Sequence, residues 1–195
     1  RTQAIAQEGL AYTEGPFDRV RYDEILRIAA EMLAACGNGD PDEVERVLRL
    51  ETGYPTPKVD VRGVVFRGEK MLFVREVCDG LWTLPGGWAD AGCTPAEAAV
   101  KEIREESGYE ARATRLLAVY DRDRQGHPPL QWPVYKLFIL CELLGGSARQ
   151  SIETDGVRFF GMDEIPPLSE GRVLERQIVR MFELGGGVDL AAEFD

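Results

Sequence analysis

Residues Gly86–Tyr109 read GGWADAGCTPAEAAVKEIREESGY, and the fold follows from how this stretch divides. A glycine pair and a short acidic loop lead into Thr94-Pro95-Ala96-Glu97, which opens a helix as a capping box with proline at its first position. The helix is expected to run to about Ser107, where Gly108 stops it. On it, Glu102, Glu105 and Glu106 stand at i, i+3 and i+4. At about 100° per residue all three fall within one third of the circumference, so their carboxylates converge on one face. Three like charges so close destabilise a bare helix and raise one another's pKa; a hard divalent cation relieves both effects. Mg²⁺ takes oxygen ligands at about 2.0–2.1 Å and keeps waters and substrate phosphates in its shell. Ala99 and Ile103 lie on a neighbouring face and can seat the helix on a sheet. Gly86-Gly87 lets the main chain come close to a metal, so a carbonyl there can complete the site. A Glu-x-x-Glu-Glu run alone also fits a solvated helix face. The whole string, with its glycines, cap and stop at fixed distances, favours the metal.

Upstream of this stretch the pattern is one of strands. VDVRGVVF (Val59–Phe66), the turn Arg67-Gly68-Glu69-Lys70 and MLFVREV (Met71–Val77) read as a hairpin. Downstream, strands are expected at about 113–121, 134–143 and 157–161, and Gly171–Leu184 reads as a closing amphipathic helix. Tyr54-Pro55-Thr56-Pro57 is a linker, and the residues before it read as helical. Ile25, Ile28, Ala29, Met32 and Cys36 recur at helical spacing until Gly37 and Gly39, and Asp40-Pro41 then caps a second short helix with Val44, Val47 and Leu48 apolar. Two short amphipathic helices make a poor core alone and are expected to pack against the main domain, a second subunit or both. The class is α+β with a mixed sheet: a helical N-terminal arm over 1–55, assigned to dimerisation, and a catalytic-size domain over 56–195.

Composition bounds the partners. The chain has 195 residues, with 23 Lys+Arg against 34 Asp+Glu for a net charge of −11. Nineteen of the 23 cations are Arg, scattered rather than clustered, which disfavours nucleic acid and anionic membranes. No apolar run approaches the roughly 20 residues of a membrane span. The opening RTQAIAQEGL has neither the charged start nor the apolar stretch of a signal peptide, and without an initiator Met, residues before Arg1 are expected to be missing. Cys36, Cys78, Cys93 and Cys141 show no C-x-x-C or zinc spacing, so reduced thiols acting as small fillers, and a cytoplasmic location, are expected. His127 is the single histidine, which excludes a metal site built on two His from one chain.

The stretch resembles the Nudix box, G-x5-E-x7-R-E-U-x-E-E-x-G-U with U apolar or aromatic. From Gly87, the positions Glu102, Ile103, Glu105, Glu106, Gly108 and Tyr109 match, whereas Cys93 stands for the Glu and Lys101 for the Arg. In the family those two mainly pair with each other; here Lys101 is expected to pair with Glu97 or Glu105. The resemblance extends over most of residues 59–184, through Leu84-Pro85-Gly86-Gly87 and FFGMDEIPPLS (Phe159–Ser169). More narrowly the chain looks like bacterial ADP-ribose/CDP-choline pyrophosphatases with a two-helix N-terminal domain. Many ADP-ribose pyrophosphatases carry a proline 15 residues beyond the box; Arg124 stands there instead, which fits the sister group that accepts CDP-alcohols.

The resemblance implies an α/β/α sandwich and Mg²⁺-dependent hydrolysis of a nucleoside diphosphate linked to another moiety, NDP-X, to NMP and phospho-X, with Mn²⁺ as a possible substitute. It implies Glu102 and Glu106 as leading metal ligands, Glu105 as a bridging ligand or proton acceptor, and the Gly86 carbonyl as a further ligand. A carboxylate from a later loop is the general base in such enzymes; Glu153 in SIETDG is the positional candidate and Asp155 its runner-up, and either also fits an ordinary loop acid. Trp82, Tyr120, Trp88 and Trp132 are candidates to stack a base, with a core role as the alternative for each. Arg122 or Arg124 can hold the diphosphate, and His127 in GHPPLQWP is a further substrate-binding candidate whose alternative is structural. Two other classes compete: a non-catalytic Nudix ligand sensor, and an RNA-end processing hydrolase.

Overall fold

The strand pattern around the hairpin places β1 at Lys58–Arg67 and β2 at Lys70–Glu76, joined at Gly68, whose φ of 60° is the left-handed conformation glycine supplies. In a computed structural model that describes residues 1–37, 39–130, 132–186 and 191–195, the chain forms two compact units, Arg1–Thr56 and Pro57–Asp195.

The first unit holds three helices rather than two: α1 Thr2–Tyr12, α2 Pro16–Gly37 and α3 Pro41–Leu48. α1 escapes a sequence reading because Arg1 makes no side-chain cap and Gly9 interrupts the pattern. That glycine has a packing reason: a Cβ there would lie 2.3 Å from the Tyr22 ring. Small residues dominate the contact, with Ala6, Leu26, Ala29, Ala30 and Ala34 buried. α3 starts as expected, Asp40 accepting from the Asp42 amide at 3.0 Å ahead of Pro41.

In the second unit β3 (Trp82–Thr83), α4 (Pro95–Ser107), β4 (Tyr109–Asp121), β5 (Val134–Gly146), β6 (Thr154–Phe160), α5 (Glu175–Gly186) and β7 (Glu193–Phe194) follow β1 and β2. The strand order is β3-β2-β1-β5-β4-β7, with β6 also on β2. β1 runs parallel to β5 and β4 parallel to β7, while the other pairs are antiparallel, so the sheet is mixed. Successive strand residues point to opposite faces, and Val64 with Phe73 therefore face α5 while Val65 with Leu72 face α4. Ala98, Ala99 and Ile103 of α4 are buried on one face; Ile178, Met181 and Leu184 of α5 are buried on the other. The result is the expected α/β/α sandwich. Among the described residues no helix is long and apolar enough to cross a membrane.

Candidate active site

The site begins where the segment after β3 runs beside β1. The Val61 amide donates to Gly87 O, Gly63 to Pro85 O, and Ala89 to Val59 O, at 2.8–2.9 Å. The carbonyls of residues 85 and 87 face β1, so strand alternation turns the peptide groups of Gly86 the other way. Its amide accordingly donates 2.9 Å to Glu106 Oε2 on α4. Only glycine fits here: φ is 150°, and a Cβ would sit 2.0 Å from Val61 O.

α4 is built as its sequence dictates. Thr94 and Glu97 form a reciprocal capping box, Pro95 opens the helix, and Gly108 ends it at φ 76°. Ile103 seats the helix, and Gly63 makes room, since a Cβ there would meet Ile103 Cδ1 at 2.6 Å. With that face inward, the Glu triplet turns to an open cleft of 940 Å³. Gly86, Glu102, Glu105, Glu106 and Glu153 all line it, as does Arg122. Glu106 is 5% exposed, and burial pushes its carboxyl up to about 8 against the opposing pull of Arg62 and the Gly86 amide. Glu102 is also raised, by burial first and then by Glu105 and Glu153, with Lys101 opposing.

Sequence reading missed a buried cationic floor. Arg62 grips Asp60 with two hydrogen bonds, 2.6 and 3.1 Å, and reaches Leu84 O at 3.2 Å. Lys136 Nζ donates to the same carboxylate from the facing position of β5. Burial opposes the charge on Asp60, but Arg62 and Lys136 hold its pKa below the ordinary value, while burial draws Lys136 down to about 8. Charged residues at alternate positions of VDVRGVVF, amid apolar neighbours, were the available signal. At the rim, Arg172 pairs with buried Glu76 at 2.9 Å, another acid that burial raises. Arg122 is 5% exposed and its Nη1 has no hydrogen-bond partner; Asp123 lies 4.0 Å away.

The donor set fits a hard cation. It is made of carboxylates and a main-chain carbonyl, and burial raises the Glu106 carboxyl, a shift that positive charge beside it opposes. Among the described residues no three acidic, His or Cys side chains gather closely enough to hold a metal by themselves. Mg²⁺ accepts such a partial shell, because it retains waters and substrate oxygens.

Several expected residues are placed elsewhere. Trp82 packs edge-on against Phe160, with ring centroids 4.9 Å apart, and Tyr120 is buried against Phe138 with its hydroxyl 3.0 Å from Glu193. His127 is buried too; its Nδ1 bonds Glu170 O at 2.7 Å, and burial draws its pKa down to about 4. None of these three lines the cleft: Tyr120 and His127 are buried, and Trp82 packs, partly buried, against the core. Trp88, half exposed, does line it, whereas Trp132 lies beneath Lys58, 5.2 Å from its ring centroid, and Arg124 is outside. Asp155 pairs with Arg75 at 2.7 Å and is also outside. Lys101 bonds Asp90 at 2.7 Å, with Glu105 at 3.9 Å; Glu97 is engaged by the cap. Cys141 alone is a buried filler among the cysteines, since Cys36, Cys78 and Cys93 are exposed.

The chain is similar to known proteins. A family model described as "UDP-X-like, N-terminal oligomerisation domain" matches residues 1–48, and the NUDIX domain model matches residues 56–182. The chain is 45% identical over its full length, and over 94% of the relative, to the Bacillus subtilis protein named "Putative ADP-ribose pyrophosphatase YjhB". A solved structure of a UDP-X diphosphatase is 36% identical, covers all of this chain and 95% of its own, and superposes with a TM-score of 0.68. An ADP-ribose pyrophosphatase from Streptococcus suis is 38% identical over 72% of this chain and all of its own, with a TM-score of 0.66. With a matched domain that takes in both the capped Glu helix and the sheet beneath it, the chain belongs to the Nudix hydrolase family.

Proposed function

We propose that the chain hydrolyses small NDP-X compounds to NMP and phospho-X, with Mg²⁺ as its cofactor and Mn²⁺ as a substitute. The observation that carries this reading is Glu106: a buried carboxyl raised to about 8, tied to the Gly86 amide and opening on a cleft shared with Glu102, Glu105 and Glu153. Glu102, Glu106 and the Gly86 carbonyl would hold the cation, with Glu105 as a bridging ligand or proton acceptor. When bound, the cation neutralises the diphosphate and acidifies a water. Glu153 takes the proton of the attacking water. Arg122 donates from Nη1, which has no hydrogen-bond partner within the chain, to a phosphate oxygen. Trp88 offers a face for the base.

The names of the relatives supply the substrate class. ADP-ribose appears for two of them, UDP-X for the solved structure and for the N-terminal family model, and all are nucleoside diphosphates linked to a second moiety. CDP-choline joins them from the sequence resemblance. The N-terminal unit is assigned to a homodimer, on the description of its family model and on the exposed stripe Phe17, Val20, Ile28 and Met32 along α2. Turnover of ADP-ribose, CDP-choline, a UDP-sugar and a capped RNA with Mg²⁺, with the products identified, tests the function. Release of NMP from a small compound supports it. Binding without turnover points to a sensor, and cleavage of the RNA alone points to an RNA-end hydrolase.

A further inference from the structure

The last turn of any α-helix leaves carbonyls without partners. In α4 two of these belong to Glu106 and Ser107, and both are taken by the segment that carries Glu153. The Arg149 amide donates to Ser107 O at 2.9 Å, and the Thr154 hydroxyl donates to Glu106 O at 2.6 Å. Thr154 is fully buried. A carbonyl only accepts, so the one Thr154 hydroxyl proton is committed to Glu106. In the 3.0 Å contact between the two hydroxyls, Ser151 is therefore the donor. Ser151 Oγ in turn accepts from the amides of Glu153 at 3.1 Å and Thr154 at 3.0 Å.

The result is a directed chain from the Glu153 amide through Ser151 and Thr154 to the carbonyl of Glu106. A second tether holds the other side, where the Val77 amide donates to Glu153 O at 2.8 Å. Between them the pairing of β6 with β2 slips by one residue, Gly156 facing Arg75 and Thr154 facing Glu76. Asp155 is thus the extra residue of a bulge, a device that re-aims a side chain next to a site. It turns away to Arg75, while Glu153 lines the cleft.

We infer that Thr154 and Ser151 are positioning residues, whose hydroxyl chain sets the distance between Glu153 and the Glu102–Glu106 face of α4. This rests on the reading of Glu153 as the general base. The test compares wild type with Thr154→Val, Thr154→Ser, Ser151→Ala, Glu153→Gln and the double variant Glu153→Gln/Thr154→Val. Steady-state kinetics with Mg²⁺ are run on ADP-ribose, CDP-choline and a UDP-sugar in parallel. Amide hydrogen exchange over residues 149–154 is followed in the metal-free protein. Thr154→Val is expected to lower kcat about 10- to 100-fold, the scale of a misplaced catalytic group, and to leave KM within about twofold. Thr154→Ser keeps the hydroxyl and restores kcat. In the Glu153→Gln background, loss of the hydroxyl costs no further rate, because there is no base left to misplace. Exchange across 149–154 speeds up in Thr154→Val and Ser151→Ala but not in Glu153→Gln.

The inference is overturned if Glu153→Gln is crippled while Thr154→Val stays within about twofold of wild type, or if the two losses multiply in the double variant. Wild-type turnover in Glu153→Gln refutes the base reading instead. Should Thr154→Val fail to fold by circular dichroism, Ser151→Ala carries the kinetic comparison. If none of the three compounds is turned over, unchanged exchange in both hydroxyl variants overturns the inference.

Discussion

At the scale of single residues, the proposed chemistry centres on Glu106. Its carboxyl is out of water, held by one main-chain amide and pushed up to about 8 although Arg62 opposes the shift, so a bound cation would add the positive charge that favours its ionised form. Glu106→Gln keeps an acceptor for the Gly86 amide and loses the anionic oxygen. Turnover should fall by about 100-fold or more while the melting temperature holds, read by steady-state assay and thermal denaturation. His127 makes a different prediction. Burial holds its folded-state pKa at about 4, below the ordinary 6.5, so the unfolded chain binds the extra proton first as pH falls. Its share of stability is present above about 6.5, declines between 6.5 and 4, and is fully lost below; the whole effect is of the order of 3 kcal/mol. His127→Gln should flatten that part of the stability–pH curve, measured by denaturant titration in chelator.

At the scale of elements, α4 could be read from its letters almost in full, because its cap, its glutamates and its glycine stop are all local. The hairpin was legible for the same reason. The ends of β4 and β5 were not: β4 begins at Tyr109, directly after the helix stop, and β5 runs on to Gly146, because each extends as far as the other supplies hydrogen bonds. The two-residue strands β3 and β7 have no pattern of their own and exist through their partners. Beside buried Ala98 and Ala99, α4 seats its largest buried side chain, Ile103, over Gly63. Ile103→Ala should cost about 2–5 kcal/mol by chemical denaturation, a buried large-to-small change next to a glycine that cannot fill the space.

For the whole molecule, the N-terminal unit exposes apolar side chains that its own small-residue core does not use, Phe17 at 79% exposure among them. In the proposed homodimer this stripe is the contact. Phe17→Glu with Ile28→Glu should halve the mass seen by light scattering and leave the helical circular dichroism unchanged. A chain beginning at Pro55 that keeps the full-length oligomeric state in light scattering would remove the arm from the interface. The overall charge of −11 disfavours polyanions, yet the cleft floor gathers Arg62, Lys136 and Arg122. The sum and the site differ, and in the proposed reaction a small diphosphate meets the site rather than the sum.

What the sequence determined by itself is therefore local: the capped helix, its convergent carboxylates, the glycine pair and the family these identify. Such features depend on spacings within a few residues, where backbone geometry alone decides what faces what. The tertiary structure decided the rest. It put Glu153 in the cleft and Asp155 outside it through a bulge, buried Tyr120 and His127, packed Trp82 against the core, and brought Arg62 and Lys136 to one carboxylate from strands far apart in the chain. Those outcomes depend on register and burial, which are properties of pairs of segments, and no single segment carries them.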